Sequence, residues 1–212
     1  MKLSKLKEKI ALLIIFSKNT LKTLEPKTDI LNANIKYWLK NGQLIQLKRG
    51  LYILKDKFDK EIQKDQLLEY IGCKLIEPSY LSLEYVLCKY QLLTESCHSF
   101  TLMTTKTTRE ISNKLGPFRY YSISPALFLD FKLKNSENYP TYEACKEKAL
   151  FDYLYLRFIK NNPVNLEAIE NLRINWDNIN KSEFIKMKSY LKLTNSKRLK
   201  EIFKIIENNI IL

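Results

Sequence analysis

Residues 27–54, KTDILNANIKYWLKNGQLIQLKRGLYIL, decide the reading of this chain. Leu31, Ile35, Trp38 and Leu39 fall at i, i+4, i+7 and i+8, so they share one face of a 3.6-residue helix. Thr28 and Asp29 stand at its start, where a side-chain oxygen accepts an otherwise unpaired backbone N–H. Gly42 follows the last periodic position, where helices commonly end in a left-handed residue. Residues 43–47 then alternate polar and apolar, Lys48-Arg49-Gly50 makes a turn, and residues 51–54 return. The spacing therefore predicts a helix, a stop and a tight hairpin. Opposite the apolar stripe lie Asn32, Ala33, Lys36, Tyr37 and Lys40. A helix with a polar, basic outer face followed by a hairpin with a basic tip is the pattern of a winged helix-turn-helix. In that pattern the helix enters a DNA major groove, and the tip, here Lys48 and Arg49, lies against phosphates. Asn can hydrogen-bond adenine twice and Lys can reach guanine or phosphate. Asn32, Lys36 and Lys40 are thus the expected groove-facing residues, with Tyr37 against backbone or a thymine methyl. The plainer reading is the polar face of an ordinary surface helix, and winged helices also serve as protein–protein modules.

Upstream, residues 3–16 predict a first helix with Leu6, Ile10, Leu13 and Ile14 as its core stripe, and residues 20–24 a short second helix. Pro26 disfavours helix at Glu25. Helix, short helix, recognition helix and hairpin complete a module over residues 1–57. The charge distribution agrees with a polyanion partner at that end. The net charge is +13, but residues 1–57 hold 13 Lys/Arg against 4 Asp/Glu, residues 58–180 hold 15 against 16, and residues 181–212 hold 8 against 3. Positive charge concentrated at the two ends raises the prior for nucleic acid; a lysine-rich composition with solvated helices is the plainer account.

Downstream, residues 55–60 predict a short ordered link. Helices are expected over 62–76, 83–90 and 142–158, and then over 166–172, 182–191 and 196–208. Residues 99–105, 118–124 and 127–134 are rich in β-formers and predict strands. Residues 106–109 read as a basic turn, and Gly116 as the pivot of a loop over 113–117. The fold class expected is α+β: an N-terminal winged helix-turn-helix, then a helix-rich domain over residues 58–212 with a small antiparallel sheet. Lys106 and Arg109 in the turn, and Lys197, Arg198 and Lys200 at the start of the last helix, are secondary candidates for an anion or DNA. Three cations at a helix start oppose its dipole, yet a solvated turn and a solvated helix start explain them equally well.

Several classes are disfavoured. No apolar run reaches the roughly 18 residues a spanning helix needs, and the apolar piece 10–16 is short and has no cleavage site, so a cytoplasmic protein without membrane contact is expected. The four cysteines, Cys73, Cys88, Cys97 and Cys145, form no C-x-x-C pair. Cys97-His98 alone is a weak metal motif, so buried thiols and no metal or cofactor are expected. There is no glycine-rich phosphate loop, no H-E-x-x-H and no serine nucleophile elbow. Glu143, Glu147 and Asp152 read as a solvated face with i,i+4 pairs, so the chain is not expected to be an enzyme.

Four segments in order resemble the AbiEi family, antitoxins and transcriptional regulators of abortive-infection (viral defence) toxin–antitoxin systems. They are LKNGQLIQLKRGLY (39–52), PSYLSLEYVLCKYQLL (78–93), residues 101–109 together with LGPF (115–118) and YYSI (120–123), and EKALFD (147–152). The resemblance spans roughly residues 3–159. It implies an N-terminal winged helix that binds operator DNA with inverted repeats and represses its own operon. It also implies a C-terminal domain that neutralises a nucleotidyltransferase-like toxin, often without stable contact. On this chain the DNA-facing positions it implies are Lys36, Lys40, Lys48 and Arg49. The alternative is a protein-interaction module that grips a partner enzyme, with the winged helix as scaffold.

Overall fold

The computed structural model describes residues 3–94, 99–134, 138–160 and 162–210. Its backbone groups into two units, Met1–Ile71 with Ile111–Pro117, and Gly72–Glu110 with Phe118–Leu212. In the first unit the order is α1 (Leu3–Lys9), β1 (Phe16–Ser17), α2 (Lys18–Leu24), α3 (Thr28–Lys40), β2 (Leu44–Lys48), β3 (Leu51–Leu54) and α4 (Lys55–Lys60). The three strands form an antiparallel sheet in the order β1-β3-β2, with Phe16 opposite Tyr52 and Ile45 opposite Ile53. Leu6, Leu21, Leu31, Ile35 and Trp38 from the helices, with Ile10 just after α1, close over Phe16, Leu44, Tyr52 and Leu54 from the sheet. Each such aliphatic or aromatic side chain contributes about 1.5–3 kcal/mol on leaving water. Gly42 and Gly50 take φ of 65° and 81°, the left-handed region that a Cβ disfavours, where α3 stops and the hairpin turns.

The first helix ends earlier than its composition predicts. Residues 10–16, IALLIIF, are apolar without a period, so they hold no single helical face. Helix stops at Lys9, Leu12 is 96% exposed and Phe16 turns into β1. The carbonyls of Ala11 and Leu13 instead accept from Lys57 Nζ, both at 3.1 Å. Residues 55–60, expected as a link, are a helical turn held by Lys55–Asp59.

Helix α5 (Lys64–Leu75) runs across the boundary between the units. The second unit then contains β4 (Ser79–Leu81), α6 (Leu83–Lys89), β5 (Phe100–Thr104), β6 (Arg109–Asn113), β7 (Gly116–Ser122), β8 (Phe131–Lys134), β9 (Thr141–Ala144), α7 (Lys146–Phe158), α8 (Leu166–Glu170), α9 (Lys181–Ser189) and α10 (Lys197–Asn209); residues 111–117 of β6 and β7 group with the first unit. The sheet order is β6-β7-β5-β4-β9-β8. It is mixed and not purely antiparallel as expected: β5–β7 and β4–β9 run parallel, β4–β5 and β8–β9 antiparallel. The fold class is α+β.

Several expected boundaries move, each for a local reason. The helix expected over 142–158 divides, because Thr141 and Ala144 bury themselves in strand β9 before α7 begins at Lys146. The strand expected over 127–134 starts only at Phe131, since Pro125–Leu127 make a 3-10 turn and Asp130 takes a φ of 55°. The basic turn gives way to β6 at Arg109, and Ser79–Leu81, between the helices expected over 62–76 and 83–90, form a fully buried strand. Ile62 stays outside α5, 95% exposed. Cys73 and Cys145 are thiols, whereas Cys88 is disulfide-bonded, which departs from the expectation of four thiols. Cys97 and His98 lie outside the described residues.

Candidate nucleic-acid interface

Helix α3 separates its two faces cleanly. Leu31, Ile35 and Trp38 are each at most 6% exposed, while Asn32, Ala33, Lys36, Tyr37 and Lys40 are all exposed. Asn32, Lys36 and Lys40 are one helical turn apart and form a single stripe; Ala33 and Tyr37 form the next. At 1.5 Å per residue the stripe is about 12 Å long, about the width of a B-DNA major groove. Tyr37, at 62% exposure, projects a large ring from this face. Ser17 caps α2 by accepting the Thr20 N–H at 3.0 Å, which sets the chain entering the α2–α3 pair.

The hairpin tip presents Lys48 and Arg49, both exposed, between β2 and β3. A register shift between Gln46 and Lys48 lets the strand turn there, and the Lys18 N–H donates to the Gly50 carbonyl at 2.7 Å, fixing the tip against the start of α2. The Asn113 side-chain amide donates to the Leu47 carbonyl at 2.9 Å, so the tip has a support from later in the chain. All six expected residues thus lie on the surface of the first unit, on α3 and on the β2–β3 turn. Two of the five secondary cations have backbone or side-chain partners of their own. Arg109 donates to the Thr107 carbonyl and hydroxyl within its own turn. Arg198 donates to the Phe158 carbonyl at 3.4 Å and to the Asn162 carbonyl, satisfying the end of α7. Lys106, Lys197 and Lys200 are exposed.

The second unit holds a polar cluster that the periodicity does not reveal. Lys148 and Asp152, one turn apart on α7, are both 0% exposed and form an ion pair. Asp152 also accepts from the Tyr80 hydroxyl at 2.9 Å and the Ser82 hydroxyl at 2.8 Å, while Lys148 donates to the Tyr80 oxygen at 3.0 Å. The rings of Tyr80, Phe151 and Tyr190 surround the ammonium at 5.5, 5.6 and 5.8 Å, within cation–π range. Burial pushes the Asp152 carboxyl upward against the opposing pull of Lys148, Ser82 and Tyr80, and burial beside that carboxylate pushes the Tyr80 phenol well up. Asp152 therefore belongs to the core and not to the solvated face expected of it, and Glu143 lies on β9 and not on the helix. In the sequence the cluster leaves only the i,i+4 Lys148–Asp152 pair, which does not stand out on a helix that also carries Lys146, Glu147 and Arg157. Every polar atom in the cluster already has a partner inside the protein, so it reads as a device that locks α7 to β4.

No protein-family model and no curated protein matches the chain. Among the described residues no helix is long and apolar enough to cross a membrane.

Proposed function

We propose that this chain is a sequence-specific DNA-binding repressor whose first unit is a winged helix-turn-helix, and that it serves as the antitoxin of an abortive-infection toxin–antitoxin pair. The observation that carries the DNA reading is the exposed stripe Asn32, Lys36 and Lys40 on a helix whose opposite face is buried, with Lys48 and Arg49 at an exposed hairpin tip. The element order supports it: helix, strand, helix, helix and two strands, with the short β1 paired to β3, is the order of a winged helix. Two-stage recognition follows from this arrangement. Lysines of α3 and of the tip neutralise phosphates and set the register, and Asn32 and Lys36 read base edges in the groove.

The antitoxin part rests on the four segments that resemble the AbiEi family, two of which, residues 78–93 and 147–152, carry the hydroxyls and the ion pair of the buried cluster. The partner on this reading is a nucleotidyltransferase-like toxin, and the place of action the cytoplasm. The test is binding of the purified protein to its own upstream DNA and to a scrambled duplex across a salt series. Tight, sequence-dependent binding that Lys36→Ala with Lys40→Ala abolishes is expected. Weak binding, equal for both duplexes, overturns the repressor reading.

A further inference from the structure

The turn over residues 113–117, NKLGP, fixes the direction of one side chain. The Asn113 side-chain oxygen accepts the Leu115 N–H at 2.8 Å, and Gly116 takes a φ of 124°, which residues with a Cβ rarely adopt. With that oxygen committed, the amide presents its NH2 to the other side, where it donates to the Leu47 carbonyl at 2.9 Å. Turning the amide over would set oxygen against oxygen and NH2 against N–H, so the two hydrogen bonds hold each other in place. Asn113 and Leu47 both belong to the first unit.

The carbonyl it meets is a particular one. Between the pairs Gln46–Tyr52 and Lys48–Leu51, β2 advances by two residues and β3 by one. Leu47 is the extra residue of a bulge, without an opposite number on β3, and its side chain is buried. A bulge bends its strand and re-aims the side chains beside it; the next two here are Lys48 and Arg49. Beyond them the Gly50 carbonyl accepts the Lys18 N–H. The two cations thus stand between two backbone carbonyls, each pinned from outside the hairpin, one by a backbone N–H and one by the Asn113 side chain.

We infer that Asn113 is a positioning residue for DNA binding, which holds the Leu47 bulge and so aims Lys48 and Arg49 at phosphate; this rests on the DNA reading above. Asn113 touches no phosphate itself. Its effect comes from holding the base of two long side chains before DNA arrives, which lowers the ordering cost of each contact.

The test uses the full chain with Asn113→Ser. The serine hydroxyl still accepts the Leu115 N–H in a turn of the same kind, is too short to reach Leu47, and leaves the charge unchanged; circular dichroism checks the fold. In the free protein the backbone amide NMR signals of Lys48, Arg49 and Gly50 are expected to move, while those of α3 stay. With the upstream duplex, affinity is expected to fall at least about threefold and the salt slope to drop toward that of Lys48→Ala with Arg49→Ala, the preferred sequence unchanged. Once those two cations are absent, Asn113→Ser is expected to weaken binding no further. Unmoved tip signals overturn the inference whatever DNA does. Moved signals with unchanged affinity and slope, or equal losses with and without the two cations, overturn it and leave the DNA reading intact. Failure of the natural chain to prefer its own upstream duplex overturns the DNA reading itself, and this inference falls with it.

Discussion

Lys148 and Asp152 share one face of α7, and neither side chain reaches solvent. An ion pair out of water is held by geometry more than by net energy: both charges lose hydration, and the pair breaks even only when every remaining lone pair is met. Here the Tyr80 and Ser82 hydroxyls meet those of Asp152. Removing one partner is therefore far worse than removing both.

Asp152→Ala, which leaves Lys148 buried and unpaired, is expected to cost about 3–5 kcal/mol in urea denaturation. The double replacement Lys148→Met with Asp152→Leu is expected to cost less than Asp152→Ala alone. A double variant as destabilised as the sum of the two single ones would mean the charges are not coupled.

On the proposed DNA reading, Lys48→Ala with Arg49→Ala at the hairpin tip removes two phosphate contacts. Counterion release then predicts a fall of about two in the slope of log affinity against log salt, with the preferred sequence unchanged. A slope that does not move places the tip away from DNA.

Thr101 on β5 supports the start of α6. Its hydroxyl donates to the Ser82 carbonyl at 2.7 Å and accepts the Tyr85 N–H at 3.1 Å, beside Leu83, whose φ of 60° is unusual for a branched side chain. Thr101→Val leaves both groups unpaired in a site only 2% exposed, so a loss of about 1–3 kcal/mol is expected by thermal or chemical denaturation, largely restored by Thr101→Ser.

The contact between α1 and α4 makes stability depend on pH. Lys7 donates to Asp56 and holds that carboxyl below its ordinary value of 3.8. A carboxyl with a lowered folded-state pKa adds stability above the unfolded value and loses it as pH falls through the lowered one. Asp56→Asn should therefore cost stability at neutral pH, by less than about 1 kcal/mol for so exposed a pair, and the gap to the natural protein should close as pH is taken below 3.8. A gap that stays constant with pH would refute the assignment.

What was legible in the chain follows from periodicity. Leu31, Ile35 and Trp38 repeat on one face, so α3, its exposed stripe and the glycines that end it and turn the hairpin are readable from the residues alone. Strand β1 is two residues long and leaves no alternation to read. Helix α7 buries Lys148 through Leu154 without interruption, so the pattern has no polar face against which Lys148 and Asp152 stand out as buried. The parallel pairings β5–β7 and β4–β9 join strands with other elements between them, and short-range patterns say nothing about such partners. Arg198 looked like a cation awaiting an anion because its carbonyl partners lie on a different part of the chain.

The first unit takes in Ile111–Pro117 as well as Met1–Ile71, so the backbone passes between the units three times. A single cleavage after Ile71 would not release a self-sufficient N-terminal piece. The seven residues that complete it, with the Asn113 amide that supports Leu47, would stay covalently on the other fragment. The two fragments would relate as a protein and its complementing peptide, and β2 would regain the Asn113 support at Leu47 only when they reassociate.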